Sequence, residues 1–380
     1  MPRKVAIVST YQTVYEAEKA GQTLEEMIFF SVKSLLENSG ISIKDIESIV
    51  TASSDQIDGR AISMMLTSAP AGAELKDLIN TSSASEHALI LAYMRILSGV
   101  YDTSLVVSWA KSSEIELPQI ENLCCEPFYE RDIGMTLPIG DALQISRYAD
   151  RYKPTEEAVA EVVKKNRGNA LNNPYAHLKK KVSTEEVLES EVLFWPLRKL
   201  HLPPLSDGVC AIVLASEEKA RSFGDRQAWI KGVGWAADNY WMGDRDLSRL
   251  DSLSIAGTQA YNMAGIKSPK EIDVAELHDT SAYHELMEYE ALGFCGPGEG
   301  AAFVQKGITS MSGSLPVNPS GGVLSSNPVF ASGLVRVIEA SLQVMGEAGD
   351  RQVGGAKTAL AHATSGFAGQ ISSVFIIGKD

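Results

Sequence analysis

The order of secondary structure is written twice in this chain, and that repetition limits the folds open to it. Lys4–Ser9 has the apolar run of a short buried strand. Leu24–Ser39 follows with Met27, Ile28, Val32, Leu35 and Leu36 on one helical face, and Gly40 stops it. Ile46–Ala52 is a second strand, Glu86–Ser98 an apolar helix ending at Gly99, and Thr103–Trp109 a third strand with Ser104, Val106 and Ser108 on one side. The last third runs alike. It has helices over Ser252–Met263, Tyr283–Leu292 and Pro328–Gly346, with strands at Ile272–Glu276 and Ser372–Ile377. Strands alternating with helices predict a parallel sheet covered by helices. Between the copies, from Pro118 to about Trp195, there is no buried-strand pattern. That stretch holds polar helices such as Thr155–Asn172, then Asn173-Pro174 and many charges. Strand-like sequence returns at Cys210–Ala215 and Ala228–Val233. The fold class read from this order is α/β, a duplicated half with a helical insertion. The first half spans 1–117, the insertion 118–200, the completion of the first half 201–245 and the second half 246–380.

Charge and composition narrow the function classes. Of 380 residues, 44% are apolar and 22% charged, an ordinary globular balance. A net charge of −14 repels phosphate backbones, and the basic residues are scattered apart from Lys179-Lys180-Lys181, so no nucleic-acid partner is expected. No window approaches the ~20 apolar residues of a membrane span. The N-terminal run lacks a signal-peptide pattern, so a cytoplasmic protein away from membranes is expected. The cysteines are Cys124, Cys125, Cys210 and Cys295, and none forms a Cys-x-x-Cys pair. No metal site is expected from them, and a reducing compartment argues against disulfides. Cys210, inside an apolar strand, reads as a small buried hydrophobe.

Two segments look like special helix entries. In Thr81-Ser82-Ser83-Ala84-Ser85-Glu86-His87, Ser83 and Glu86 have the spacing of a capping box. In Ser326-Asn327-Pro328, Asn327 suits an N-cap and Pro328 the first helical position. Each opens the long apolar helix of its half. A duplicated fold brings such helix starts together, where unpaired N–H groups activate a thiol or hold an oxyanion. The simpler expectation is that Ser83 and Asn327 only cap their helices.

The chain resembles the thiolases of the sterol-carrier and archaeal type over nearly its whole length. The matching segments are Glu126-Pro-Phe-Tyr-Glu-Arg-Asp-Ile-Gly-Met-Thr, Asn166-Arg-Gly-Asn-Ala-Leu-Asn-Asn-Pro-Tyr-Ala, Pro204-Leu-Ser-Asp-Gly-Val-Cys-Ala and Leu315-Pro-Val-Asn-Pro-Ser-Gly-Gly. The resemblance implies two βαβαβ halves packed as a five-layer α-β-α-β-α sandwich with a helical loop domain. It also implies an acyl-CoA substrate, with coenzyme A entering as part of it and no permanently bound cofactor. A homodimer or dimer of dimers follows from it, together with a possible small zinc-ribbon and OB-fold partner that would carry any zinc.

The chemical positions of that family are altered here. A nucleophilic cysteine is replaced in Ser83-Ala84-Ser85-Glu86, a Gly-His-Pro histidine in Ser326-Asn327-Pro328, and His-Asp-Cys-Phe by His278-Asp279-Thr280-Ser281. The terminal glycine-rich turn, Thr364-Ser365-Gly366-Phe367-Ala368-Gly369, has no cysteine. A serine alcohol needs a base that Asn327 cannot provide. His87, one turn from Ser83, is a poor substitute. Enolate stabilisation is less damaged: the Asn327 amide can donate a hydrogen bond, His278 can position a water, and backbone N–H groups near Ser83 and Gly366 can add donors. The site residues expected are therefore His278, Asn327 and Ser83 as catalytic, and Gly366, Tyr283 and Cys295 as substrate-binding. His278, Tyr283, His284 and Cys295 are candidate bases, and Trp235, Tyr240 and Trp241 candidate walls for a bulky acyl group. The favoured activity is retro-aldol cleavage of a β-hydroxyacyl-CoA. Thiolysis through an acyl-serine is the weaker alternative, and a non-catalytic subunit of an acyl-CoA enzyme the competing class.

Overall fold

The computed structural model describes residues 3–379. Two similar halves meet edge to edge in one nine-stranded sheet. In the first half β1 (Val5–Gln12), β2 (Ser48–Ala52), β3 (Asp77–Thr81), β4 (Thr103–Ala110) and β5 (Gly208–Ser216) stand in the order β3-β2-β4-β5-β1. In the second, β6 (Ala228–Ala237), β7 (Val274–Glu276), β8 (Thr358–Ser365) and β9 (Ile371–Gly378) stand in the order β6-β9-β8-β7. The pairings repeat. β5 is antiparallel to both β1 and β4, β4 parallel to β2, and β2 parallel to β3. Likewise β9 is antiparallel to both β6 and β8, and β8 parallel to β7. A parallel bridge from Ala275 to Val317 stands where β3 stands in the first half. The halves join where Ala6 pairs with Trp229 and Ile7 with Ala228.

The sheet is mixed rather than parallel. Strands β5 and β9 each return antiparallel to their neighbours, β5 after the insertion and β9 after the turn at Gly366. β3 and β8 escaped the sequence reading: Asp77–Thr81 is polar and half exposed, and Thr358–Ser365 is rich in alanine.

Alternation along the strands builds the layers. Ile49, Leu105, Val107, Ala211 and Val213 meet helix α1 (Leu24–Ser39). Their neighbours Val50, Val106, Ile212 and Leu214 point the other way into the central core. That core holds α2 (Ser85–Leu97) and, from the second half, α7 (Ser332–Met345), with Ala359, Ala361, Phe375 and Ile377 beyond them. Leu360, Val374 and Ile376 face outward onto α5 (Asp251–Ala264) and α6 (Ala282–Ala291). The result is five layers, α-β-α-β-α. Helix α5 lies so close on β6 that a Cβ at Gly234 would stand 2.0 Å from the Ala256 carbonyl oxygen. Helices α3 (Leu137–Tyr152) and α4 (Glu156–Asn169) belong to the insertion, whose only paired strands among the described residues are the short hairpin Val192–Phe194 and Leu197–Arg198. Among the described residues no helix is long and apolar enough to cross a membrane, and no cluster of side chains is arranged for a metal.

Both expected helix caps are corrected. Helix α2 starts at Ser85 with Ala84 at the N-cap and no side-chain cap, and Ser83 is exposed. Ser85 instead accepts the Leu334 N–H at 2.9 Å, and Glu86 is buried against α7 without closing a capping box with Ser83. Contact with the other half replaced the local cap. Asn327 and Pro328 do not open α7 either. A 3-10 turn, Val329–Ala331, intervenes, with Val329 at φ 30°, and the helix begins at Ser332.

Candidate active site

A cavity of about 470 Å³ opens where β3, β7 and β8 end. The strand ends and the loops after them bring in Ser83 and Ala84, His278 and Thr280, and Thr364, Ser365 and Gly366. The turn before α7 adds Asn327, and the insertion closes the far wall with the first turns of α3. The remaining wall is largely apolar, including Leu117, Leu137, Leu202, Val323 and Phe330.

Two neutral N–H donors face this space, each fixed from behind. The Thr364 N–H donates to Nδ1 of His278 at 3.3 Å. A neutral imidazole that accepts at Nδ1 carries its proton on Nε2, and Nε2 has no partner among the described residues. Burial, then the charge of Arg336 and the neighbouring His284, push the His278 pKa down to about 3, so the ring is a donor and not a cation. The Ser332 hydroxyl donates to Oδ1 of Asn327 at 2.8 Å. The carboxamide nitrogen Nδ2 is thereby left without a partner among the described residues. The Asn327 backbone is held as firmly by the first half: its N–H donates to Ser206 Oγ at 3.1 Å, and its carbonyl accepts the Ser206 N–H at 3.0 Å.

A buried polar frame underlies these groups. The Asp279 carboxylate accepts from Val323 N–H at 2.6 Å and from Asn166 Nδ2 at 2.8 Å. Asn169 and Asn173 donate to the carbonyls of Asn318 and Ser320, both at 2.9 Å. Asn318 and Lys165 bind Glu285 at 2.7 and 2.9 Å. The asparagine-rich segment at 166–173 therefore works as scaffold: it ties the insertion to the 318–325 turn and hence to the cavity floor.

The expected site residues separate into two groups. Ser83, Gly366, His278 and Asn327 all line the cavity. Tyr283 and Cys295 do not line it. Tyr283 is buried edge-on against His201, with ring centroids 5.4 Å apart. Cys295 is half-buried, its thiol pushed up to about 12 by burial and then Glu290. His284 is sealed behind the wall: Nδ1 meets Ser281 Oγ at 2.9 Å, Nε2 meets Gln144 Oε1 at 2.8 Å, and burial lowers its pKa to about 3. Trp235, Tyr240 and Trp241 also lie outside the lining. Tyr240 instead binds the insertion, its hydroxyl accepting the Glu126 N–H at 2.8 Å. None of the cysteines reaches the cavity.

Sequence reasoning missed two carboxyl groups, Asp141 and Glu121, and read a third, Glu86, only as a helix cap. Asp141 and Glu121 line the cavity from the insertion, and burial lifts each to about 7. Asp141 is nevertheless eased toward its charged form by the Thr280 side chain and the Ala368 backbone beside it. Glu86 lies just behind Ser365, fully buried and pushed up to about 8 by desolvation. Neither of its oxygens makes a hydrogen bond of ordinary geometry. The only local signal was a lone acid among small or apolar neighbours, as in Gly140-Asp141-Ala142.

Comparison with known proteins shows the family. The thiolase C-terminal domain-like family matches residues 234–379. An acetyl-CoA acetyltransferase of Methanocaldococcus jannaschii is 31% identical over 367 residues, covering 92% of this chain and 93% of that one. Sterol carrier protein 2 of Oryctolagus cuniculus is 36% identical over 222 residues, 57% of this chain and 40% of that longer protein. Among solved structures, the Ltp2-ChsH2(DUF35) aldolase superposes with a TM-score of 0.85 at 22% identity, over 99% of this chain and 98% of that one. With its near full-length archaeal relative and its five-layer fold, the chain belongs to the thiolase superfamily, in the sterol-carrier-protein type.

Proposed function

We propose that the chain cleaves the Cα–Cβ bond of a β-hydroxyacyl-CoA by a retro-aldol route through a stabilised enolate. The observation that carries this reading is the pair of pinned donors, His278 Nε2–H and Asn327 Nδ2–H, lining a cavity that no thiol reaches. Fixed dipoles of this kind stabilise a developing enolate oxygen without reorganising during the reaction. Acyl transfer needs more: neither His278, whose Nδ1 is already occupied, nor Asn327, which cannot accept a proton, can activate the Ser83 hydroxyl. The name of the structural neighbour, an aldolase, supports the same direction. That neighbour pairs two named components, which supports a partner for this chain too, of the small zinc-ribbon and OB-fold kind, beside a homodimer or dimer of dimers. On this reading the protein is a cytoplasmic enzyme of acyl-group metabolism, with coenzyme A present only as part of the substrate.

The test is to incubate the purified protein, alone and with any co-purifying partner, with β-hydroxyacyl-CoA and β-ketoacyl-CoA panels. Cleavage of the hydroxy series to a carbonyl compound and a shorter acyl-CoA is expected. Turnover of neither series, with or without a partner, leaves the chain as a non-catalytic thiolase-like subunit.

A further inference from the structure

A retro-aldol site needs a base as well as an enolate hole, and the expected candidates do not serve. His284 has both ring nitrogens engaged, Tyr283 and Cys295 stand outside the cavity, and His278 presents a donor. The carboxyl groups on the wall are Glu121 and Asp141. They differ in position. Glu121 accepts the Leu137 N–H at 3.1 Å, at the start of α3. Asp141 sits one turn further along α3, beside the Thr280 side chain, and Thr280 is two residues from His278 on the same loop.

Resting on the retro-aldol reading, we propose that the Asp141 carboxylate is the general base of the site. It takes the β-hydroxyl proton while His278 and Asn327 hold the enolate oxygen. The step balances. The O–H bond breaks and its proton goes to Asp141. The oxygen's electron pair forms the C=O of the departing carbonyl compound. The Cα–Cβ pair moves into the enolate of the shortened thioester. The proton then passes from Asp141 to Cα, giving the acyl-CoA and regenerating the carboxylate. No redox partner or co-reactant is consumed.

The surroundings suit this assignment. A base works best when its pKa lies near the working pH, and burial holds Asp141 at about 7. The ionisable groups around it are Glu121 on the insertion, and His284 and Glu288 on α6. His284 Nε2 lies 3.8 Å from Oδ1 of Asp141 but spends its proton on Gln144, so it neither neutralises the carboxylate nor competes for the hydroxyl. Leu117, Leu137 and Leu202, with Pro118, Pro138 and Pro203, make the surrounding wall apolar and stiff, which fits an apolar carbonyl fragment.

The probe is 3-hydroxy-3-phenylpropanoyl-CoA, which would give benzaldehyde and acetyl-CoA, assayed on the full chain with any co-purifying partner. Asp141→Asn is expected to lower kcat by about 100-fold or more with KM changed less than about threefold. The acid limb of the kcat profile, near pH 7 in the parent, should vanish. Asp141→Glu should recover part of the loss, and Glu121→Gln should lose much less than Asp141→Asn. An active parent with Asp141→Asn within about threefold overturns the base assignment and leaves the retro-aldol reading standing. So does an equal loss in Glu121→Gln, which moves the base to Glu121. A parent that cleaves no β-hydroxyacyl-CoA overturns both. If Asp141→Asn does not fold, Asp141→Glu decides: it displaces the carboxylate by one methylene, and parental kcat would overturn the proposal.

Discussion

The hydroxyl of Ser332 donates to Oδ1 of Asn327 at 2.8 Å, and this contact decides which end of the carboxamide faces the cavity. Ser332 is buried at the start of α7, so the amide is oriented by the helix it precedes. An Asn327→Ala variant is expected to lose about 100- to 1,000-fold in kcat, the usual effect of deleting one oxyanion donor. Asn327→Asp should do no better, because a carboxylate repels the enolate. Ser332→Ala keeps the donor but frees its rotation, so a smaller loss of about tenfold is expected, carried by kcat rather than KM. Steady-state kinetics on the cleaved thioester check all three. Equal activity in Asn327→Ala would remove Asn327 from the site.

Ser83 does not take the capping role that the sequence suggested, and Ser85 instead binds across the two halves. Ser83 is exposed and caps nothing, so Ser83→Ala is expected to change stability by less than about 0.5 kcal/mol, as for an ordinary surface site. Ser85 accepts the buried Leu334 N–H across the two halves, and Ser85→Ala strands that donor at a cost of about 1–3 kcal/mol. Denaturant titration of both variants compares them directly. Ser83→Cys should not establish thiolysis, because Asn327 stands where the family has its activating histidine and cannot take the thiol proton. An acyl-thioester on the introduced thiol, seen by mass spectrometry after that variant is incubated with a β-ketoacyl-CoA, would contradict this.

The difference between these two serines shows what the sequence could carry. Helix α1 was legible to its last residue because its apolar face repeats with the helical period and Gly40, at φ 69°, ends it. The duplication was legible because element order survives where residue identity does not. His278, Asn327, Ser83 and Gly366 could be expected to share one cavity because each sits in a short segment that resembles the family pattern, and all four line it. The burial of the carboxyl groups at 86, 121 and 141 was not legible. An acid on a helix looks the same in sequence whether it meets water or the other half of the molecule, and only packing buries it. The same limit explains the helix caps: Ser83 and Asn327 have the residue types of local caps, but contacts to Ser85, Ser206 and Ser332 from distant or later segments set the actual geometry.

Glu86 and Gly333 occupy one space between the helix starts. A Cβ at Gly333 would stand 2.3 Å from Oε2 of Glu86 and 2.8 Å from the Ala363 side chain. Gly333→Ala is expected to destabilise the fold by about 1–3 kcal/mol through overpacking. Glu86→Ala opens the space, so the double variant should recover part of that loss, with a coupling of about 0.5–3 kcal/mol. Simple additivity in a double-mutant cycle would show that the two side chains do not compete.

Buried acids also set the direction in which stability changes with pH. Glu86, near 8 in the fold against 4.5 when solvated, binds more protons folded than unfolded between those values. Asp141 and Glu121, near 7, do the same over a narrower window. A folded-state pKa above the unfolded one gives stability that is complete below the unfolded value and is lost as pH rises through the folded one. His278 and His284 act oppositely: with pKa values near 3, they remove stability as pH falls below about 6.5. Above about pH 7.5 the histidines are neutral in both states, so only the acids contribute. Stability should therefore fall as pH rises from about 7.5 to 8, by about 1 kcal/mol per pH unit for each acid still titrating. Glu86→Gln removes one contribution that persists to about pH 8, and its melting temperature should be flatter than the parent's from about pH 7 to 8. Parallel curves for parent and variant across that interval would mean that Glu86 is already ionised in the folded protein.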